Sequence, residues 1–359
     1  MKNIFLVALL CVVYNTQAVA QGCVAIRGAG GSSCSITGHL MHADTSGYTL
    51  NINTRYFKSY KHYVGTEEQK QRVALGTEVI NHTLSMDIGL TKTINKKWSA
   101  AIYIPVIAND RSSLYEHANR GRFTTSSFGI GDIRIAAYTW LKDPAKMPKF
   151  NAQVGFGVKL PTGDYRYTDR FTTATGTVIG PVDQSIQLGD GGTGFTLELN
   201  AYQRFGKRIS AYGNFYYLVN PREQNGVSTA RGGTPSATAV LYTTDVMSVP
   251  DQYLIRGGLN YQLRNWTFSG GLRFEAIPAK DLIGGNEGFR RPGEVLTIEP
   301  GITYMFSKLN LFLTVPTAIM RNRTQSYPDQ IRSTLTGTNY KGDAAFADYS
   351  INLGFSLRL

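Results

Sequence analysis

Twelve stretches of this chain place an apolar residue at every second position, and that pattern limits the fold more than any other feature. The last runs from Tyr349 to Leu359. Tyr349, Ile351, Leu353, Phe355, Leu357 and Leu359 alternate with Ser350, Asn352, Gly354, Ser356 and Arg358. Successive strand residues point to opposite faces, so the segment has one apolar and one polar face. Phe150, Ala152, Val154, Phe156, Val158 and Leu160 repeat the pattern against Asn151, Gln153, Gly155, Gly157 and Lys159. Trp266, Phe268, Gly270, Leu272 and Phe274 repeat it against Thr267, Ser269, Gly271, Arg273 and Glu275. The alternation predicts strands at about 49–62, 79–91, 98–107, 128–141, 149–161, 193–205, 208–219, 251–263, 266–277, 294–306, 309–320 and 346–359.

The connections decide the architecture. They are long after odd strands: 63–78, 108–127, 162–192, 220–250, 278–293 and 321–345. They are short after even strands: 92–97, 142–148, Gly206-Lys207, Arg264-Asn265 and Ser307-Lys308. A soluble sandwich has no reason to sort its loops by length. An outer-membrane barrel does, with short periplasmic turns and long outer loops. The chain therefore reads as all-β: a transmembrane antiparallel β-barrel of about twelve strands in the cell outer membrane. A count of fourteen stays open, because Thr238 to Val246 in the loop 220–250 would supply two more strands.

The segment before the barrel has its own logic. Lys2 followed by the apolar run Ile4–Tyr14 and the small residues Ala18-Val19-Ala20 reads as a secretory signal over residues 1–20. That run is too short to span a bilayer as a helix. Residues 21–48 form a small, polar periplasmic or plug segment, and residues 49–359 form the barrel. Cys23 and Cys34 are an even pair in an exported chain, which favours a disulfide. A lipidated Cys23 is the alternative, although Gln21 fits a lipobox poorly.

Only 17% of residues are charged, with a formal net charge of +12. No basic run supports nucleic-acid binding. Lysines and arginines instead fall in short turns, such as Lys96-Lys97 and Lys207-Arg208, where solvated charge flanks a membrane.

Two phrases carry a family resemblance. One is Phe128-Gly129-Ile130-Gly131-Asp132, leading into the fourth strand. The other is Gly157-Val158-Lys159-Leu160-Pro161-Thr162-Gly163-Asp164, closing the fifth. With the export signal and the strand layout, they resemble the outer-membrane transporter family named for a phenol meta-cleavage pathway. That family belongs to the same broad class as the long-chain fatty acid transporters. The resemblance implies uptake of aromatic or other hydrophobic small molecules. The residues themselves read first as architecture. Gly129 and Gly131 permit close backbone contact where the fourth strand starts, and Pro161 to Asp164 ends the fifth.

The inward register collects Arg55, Arg134, Lys159, Arg256, Arg273 and Arg358 against Asp87, Asp132, Glu198, Glu275 and Glu299. Tyr103, Tyr138, Trp140, Tyr202, Tyr212 and Tyr216 share that face. Charges of opposite sign inside a narrow barrel are expected to pair, because each is costly alone. The candidate lumen or substrate path is Arg134, Lys159, Glu198, Arg256, Arg273, Glu275, Glu299, Tyr138 and Tyr212. The first functional reading is a passive channel for small hydrophobic or aromatic molecules, with no cofactor. Its partners are outer-membrane lipid, the solute, and the barrel-assembly machinery through the C-terminal strand. The second is a structural or surface-binding barrel with a closed, salt-bridged lumen. The third is a barrel hydrolase using His62 or His117 with an outer-loop serine. The expected site of His62 is a solvated rim. Asp164, Asp169, Asp183 and Asp190 are expected in a solvated outer loop, their spacing matching no calcium motif. On the terminal strand, Leu353→Arg should harm assembly, and Gly354→Ser on the inner face should be milder.

Mass spectrometry of the exported protein is expected to show Cys23 bonded to Cys34, with no free thiol and no acyl chain. Closing a loop of about a dozen residues contributes roughly 3 kcal/mol locally. A diacyl or triacyl group on Cys23 would replace the disulfide reading with a lipoprotein.

Overall fold

The computed structural model describes residues 46–359. The signal, the Cys23–Cys34 pair, His39 and His42 lie outside the described residues. Twelve antiparallel lanes form the wall. They are β1 (Gly47–Val64), β2 (Ile80–Thr93), β3 (Trp98–Ser113), β4 (Phe123–Ile130, then Arg134–Trp140), β5 (Phe150–Lys159) and β6 (Gly194–Arg204). They continue as β7 (Ile209–Val219), β8 (Gln252–Leu263), β9 (Trp266–Ile277), β10 (Gly293–Ile298, then Gly301–Met305), β11 (Leu309–Thr314, then Thr317–Asn322) and β12 (Ala344–Arg358). Each pairs with the next, and β12 returns to β1 from Thr49 opposite Arg358 to Tyr63 opposite Ala344, with register shifts on either side of Ser59. Except along one side of Phe123–Ile130, closure leaves no open sheet edge, which in lipid would cost several kcal/mol for each unpaired backbone group.

The alternation read from sequence is the alternation of burial. Phe156, Phe195, Ile255, Leu272 and Leu353 are exposed on the outer face, while Asn151, Thr196, Arg256, Arg273 and Asn352 are buried inside. The apolar residues therefore face lipid, and the polar residues form the core. Among the described residues no helix is long and apolar enough to cross a membrane.

Three lanes are interrupted. Pro300 divides β10 and Pro316 divides β11, because proline has no N–H to give the ladder. The third break, at 131–133 in β4, contains no proline. Here the sequence expectation needs correction. Strand four starts at Phe123 rather than near 128, so Phe128 to Ile130 end its first part, Gly131 and Asp132 fall in the break, and the phrase does not begin the strand. Within Phe123–Ile130, Phe128 and Ile130 are exposed on the outer face, but Thr124 to Ser127 lack the apolar alternation that marks a lipid-facing wall.

The loop 220–250 adds no wall strand. Gln224–Ser228 pairs only with Val246–Ser248, and Ala237–Leu241 forms a short helix, α2, following α1 (Lys70–Ala74). A longer helix, α3 (Tyr327–Thr336), lies in the last outer loop. Ser326 caps it in a reciprocal capping box with Asp329.

Gly354 also behaves differently from expectation. A Cβ there would stand 2.2 Å from the Ile52 carbonyl oxygen and 2.5 Å from the Phe312 ring. The β1–β12 seam closes through this contact, so Gly354→Ser is not the milder change. Leu353→Arg is expected to cost roughly 2–4 kcal/mol, the range for a charge facing lipid at mid-membrane. Gly354→Ser is expected to impair closure at least as much. Urea titration of the barrel folded into lipid vesicles checks both, with heat-modifiable gel migration reporting closure. A fully tolerated Gly354→Ser would contradict the seam packing.

Candidate solute path through the barrel

The break in β4 is closed by polar groups from elsewhere. Gly131 N donates to Pro105 O at 2.8 Å. The Thr162 hydroxyl accepts from Ile133 N at 2.8 Å and donates to Gly131 O at 3.0 Å. Leu160 N donates to Ile133 O at 2.8 Å. The carboxylate of Asp132 then ties three segments together. Its Oδ1 accepts from Gly163 N at 3.0 Å, its Oδ2 accepts from Asp190 N at 3.1 Å, and Lys159 Nζ lies 3.5 Å away. Lys159 also pairs with Asp190. A Cβ on Gly163 would be 2.7 Å from Leu188 O, and one on Gly189 would be 2.5 Å from Asp132 Oδ1. The two sequence phrases thus meet at one knot, where only glycine permits the approach.

The knot holds the loop 162–192 inside the barrel mouth. Val182, Ile186 and Leu188 are buried, and Ile186 O accepts from Asn109 Nδ2 at 3.2 Å and Ser127 Oγ at 2.5 Å. The expectation of a solvated loop is therefore wrong for its second half. Asp183 is buried and accepts two bonds from Arg291, at 2.8 and 2.7 Å, with Arg111 at 3.3 Å. Arg111 and Arg231 each reach Glu116 at 2.8 Å. Four outer loops meet on this cluster. Burial alone would raise the Asp183 pKa, but Arg111 and Arg291 hold it well below the usual carboxylate range. The stabilisation it provides is thus full above that range and fades only as pH falls through the depressed value.

Under the infolded loop lies a cavity of about 170 Å³. Leu188, Leu218, Met247 and Ile277 give it apolar walls, while Asp132, Arg134 and Lys159 give it polar ones. Its wall therefore includes the break in β4. Beside that break, Phe123–Ile130 pairs with β3 on one side, and no described barrel strand pairs with its other edge, since β5 ends at Lys159.

Two ion-paired clusters line the interior. In the first, Arg134 pairs with Glu198, which also accepts from the Tyr138 hydroxyl at 3.1 Å. The Tyr103 hydroxyl meets that of Tyr138 at 3.0 Å, and the Arg134 guanidinium sits 4.2 Å from the Tyr103 ring centre. Gly155 lies between Tyr138 and Glu198, where a Cβ would be 2.6 Å from the tyrosine ring. In the second cluster, Arg273 donates to Glu275 at 2.6 Å, and Glu299 lies 3.6 Å from Arg256 and 3.9 Å from Arg273. Arg55 on β1 approaches Glu275 on β9 at 4.0 Å, a contact across the lumen. The Tyr212 hydroxyl lies over the facing pair Gly258 and Gly271.

The residues matched by a family model described as "Putative MetA-pathway of phenol degradation" are 69–325. The chain belongs to this family. Among solved structures it is similar to an outer membrane channel from Pseudomonas putida F1. The two are 10% identical with a TM-score of 0.58, covering 89% of this chain and 97% of that one. The likeness shows the fold. Looser likenesses are to the translocator domain of the Neisseria meningitidis autotransporter NalP (12% identity, TM-score 0.44, 91% and 93% covered) and to the P. putida toluene transporter TodX (9%, 0.40, 89% and 91%). No curated protein sequence matches the chain.

All nine path residues named from the sequence point inside the barrel. They divide among the two clusters and the knot. Arg358 does not join them: it is half-exposed at the periplasmic rim, bonded to Ser307 O at 2.8 Å. The loop residues Arg291 and Leu188 were missed, and Asp183 was expected in solvent, because alternation marks only wall strands. His62 is not a solvated rim residue either. It is buried, with Nδ1 2.9 Å from Asp343 and Nε2 accepting from Val79 N at 2.9 Å.

Arg134→Met is expected to cost about 3–5 kcal/mol, because Glu198 stays buried without its partner. The pair Arg134→Met with Glu198→Leu should cost less than Arg134→Met alone. Urea unfolding from vesicles, read as a double-mutant cycle, checks this. Additive losses would mean that the two side chains do not depend on each other.

Proposed function

We propose that this barrel is a passive channel that carries small hydrophobic or aromatic molecules across the outer membrane. The observation that carries the reading is the cavity below the infolded loop. An apolar cavity of about 150 Å³ is enough to hold benzene, and this one is of similar size, with Leu188, Leu218, Met247 and Ile277 set among polar residues that include Asp190, Arg290 and Arg291. A water-filled sugar pore would have no use for such a chamber. The family description, with its reference to phenol degradation, supports the same class of solute. The route down the lumen is narrowed by Arg55, Glu275, Arg273, Glu299 and Arg256, and Arg134 with Glu198 borders the chamber. The break in β4 lies in the chamber wall and is closed by Thr162, Pro105 and Leu160, so passage sideways toward lipid would require those bonds to open.

A closed structural barrel is the alternative, and the contact between Arg55 and Glu275 across the lumen is the observation in its favour. A hydrolase fits less well. Both ring nitrogens of His62 are engaged, and Nδ1 of His117 accepts from Thr172 N at 3.2 Å while its ring stacks on Phe171. Neither histidine has a serine hydroxyl among its hydrogen-bond partners in the described residues.

Cells carrying the barrel should take up a labelled aromatic such as benzyl alcohol faster than cells lacking it, with saturation. Met247→Trp, which fills the chamber, should reduce that uptake several-fold. In planar bilayers, Asp183→Asn should raise the mean current by loosening the loop cluster. The wild-type current should hold from pH 7 to 4, since the Asp183 carboxyl titrates below that window. Absence of both current and uptake would leave the structural barrel.

A further inference from the structure

Above the chamber the outer loops enclose a vestibule of about 570 Å³. Seven arginines line it against four carboxylates. Most of these arginines are committed: Arg72 to Asp343, Arg111 and Arg231 to Glu116, Arg291 to Asp183, Arg290 to Asp281 and Arg323 to Asp329. Arg332 is different. Among the described residues no carboxylate lies within ion-pair distance of it. Its guanidinium sits 3.6 Å from the ring centre of Tyr340 and 5.5 Å from that of Tyr242. All three residues are half-buried and line the vestibule.

We propose that Arg332, Tyr340 and Tyr242 form a docking site for aromatic carboxylates, so that the vestibule favours anionic aromatic solutes over neutral ones. This rests on the channel reading above and names the solute class. The physical case has three parts. The excess positive charge within low-dielectric loop walls raises the local concentration of anions. A guanidinium presents a planar fork that matches a carboxylate with two parallel hydrogen bonds. The tyrosine rings offer stacking faces to a flat solute, and Tyr340 holds the arginine by cation–π attraction without neutralising it. A carboxylate in the other pairs would have to displace a resident acid; at Arg332 it displaces none.

Titration calorimetry of the full barrel in detergent tests this with benzoate, benzyl alcohol, acetate and inorganic phosphate. Benzoate should bind about tenfold more tightly than each of the other three, from a charge-assisted pair together with the ring contact. Arg332→Gln should remove that advantage and leave benzyl alcohol binding unchanged, and Arg332→Lys should restore part of it. Raising the salt to about 1 M, where the screening length is about 3 Å, should weaken benzoate alone. Heat-modifiable migration confirms that each variant is folded. Equal binding of benzoate and benzyl alcohol would overturn the proposal. So would acetate or phosphate binding as tightly as benzoate, or an Arg332→Gln variant that keeps the preference. If the preference is absent while benzyl alcohol uptake persists, the channel reading stands and this one falls. Loss of uptake of both solutes would instead remove the channel reading itself.

Discussion

A strand that breaks inside a membrane must still satisfy its backbone, and the rest of this structure depends on how that is done at Asp132. In lipid no water is available to replace a lost ladder bond. The chain meets the requirement with the Thr162 hydroxyl, the Pro105 carbonyl and the Leu160 N–H, and the Asp132 carboxylate in turn accepts from Gly163 N and Asp190 N. Satisfying the break thus also fixes the end of β5 and the course of the following loop. The glycines at 131, 163 and 189 make the approach possible. A side chain at any of them would hold the backbones apart and leave the polar groups unmet.

The same close approach recurs lower in the barrel. Gly155 lets Glu198 reach past β5 to Arg134, and Gly258 with Gly271 makes room for Tyr212. Interior charge in a narrow barrel is tolerated where ion-paired groups are also hydrogen-bonded to neutral ones: Glu198 to Tyr138, Arg256 to Asn214 and Arg55 to Asn352. Such an interior is held together by polar contacts, while its apolar surface is turned outward to the bilayer. Changes of volume and changes of charge should therefore exchange their usual roles: the wall tolerates apolar substitution, and the lumen resists loss of a single charge.

The wall was legible in the sequence because lipid imposes one rule at every second residue. Phe156, Leu272 and Leu353 report it directly, and their neighbours report the lumen by difference. Where lipid stops, the rule stops. Thr124 to Ser127 are strand residues above the apolar band, and nothing in their order distinguishes them from loop. The inward fold of Val182 to Leu188 was hidden for another reason. It depends on partners far along the chain, Arg291 for Asp183 and Asn109 for Ile186, and no local pattern encodes such pairs. His62 was misplaced likewise, since its partner Asp343 lies 281 residues further along the chain. The glycine-rich phrases were visible as architecture, but whether they began a strand or interrupted one required the geometry.

The meeting of four outer loops on Asp183 and Glu116 has a consequence for how the exposed face can vary. Surface loops usually diversify independently, each drifting in length and sequence under pressure from phage or antibody. Here Arg231 and Arg291 anchor two of those loops to acids carried by two others. Drift is therefore confined to the stretches between anchors, such as the hairpin tip at Thr173 to Gly176. An antibody that pulled one anchored loop outward would disturb the other three, so binding at a single epitope could alter what the whole mouth admits.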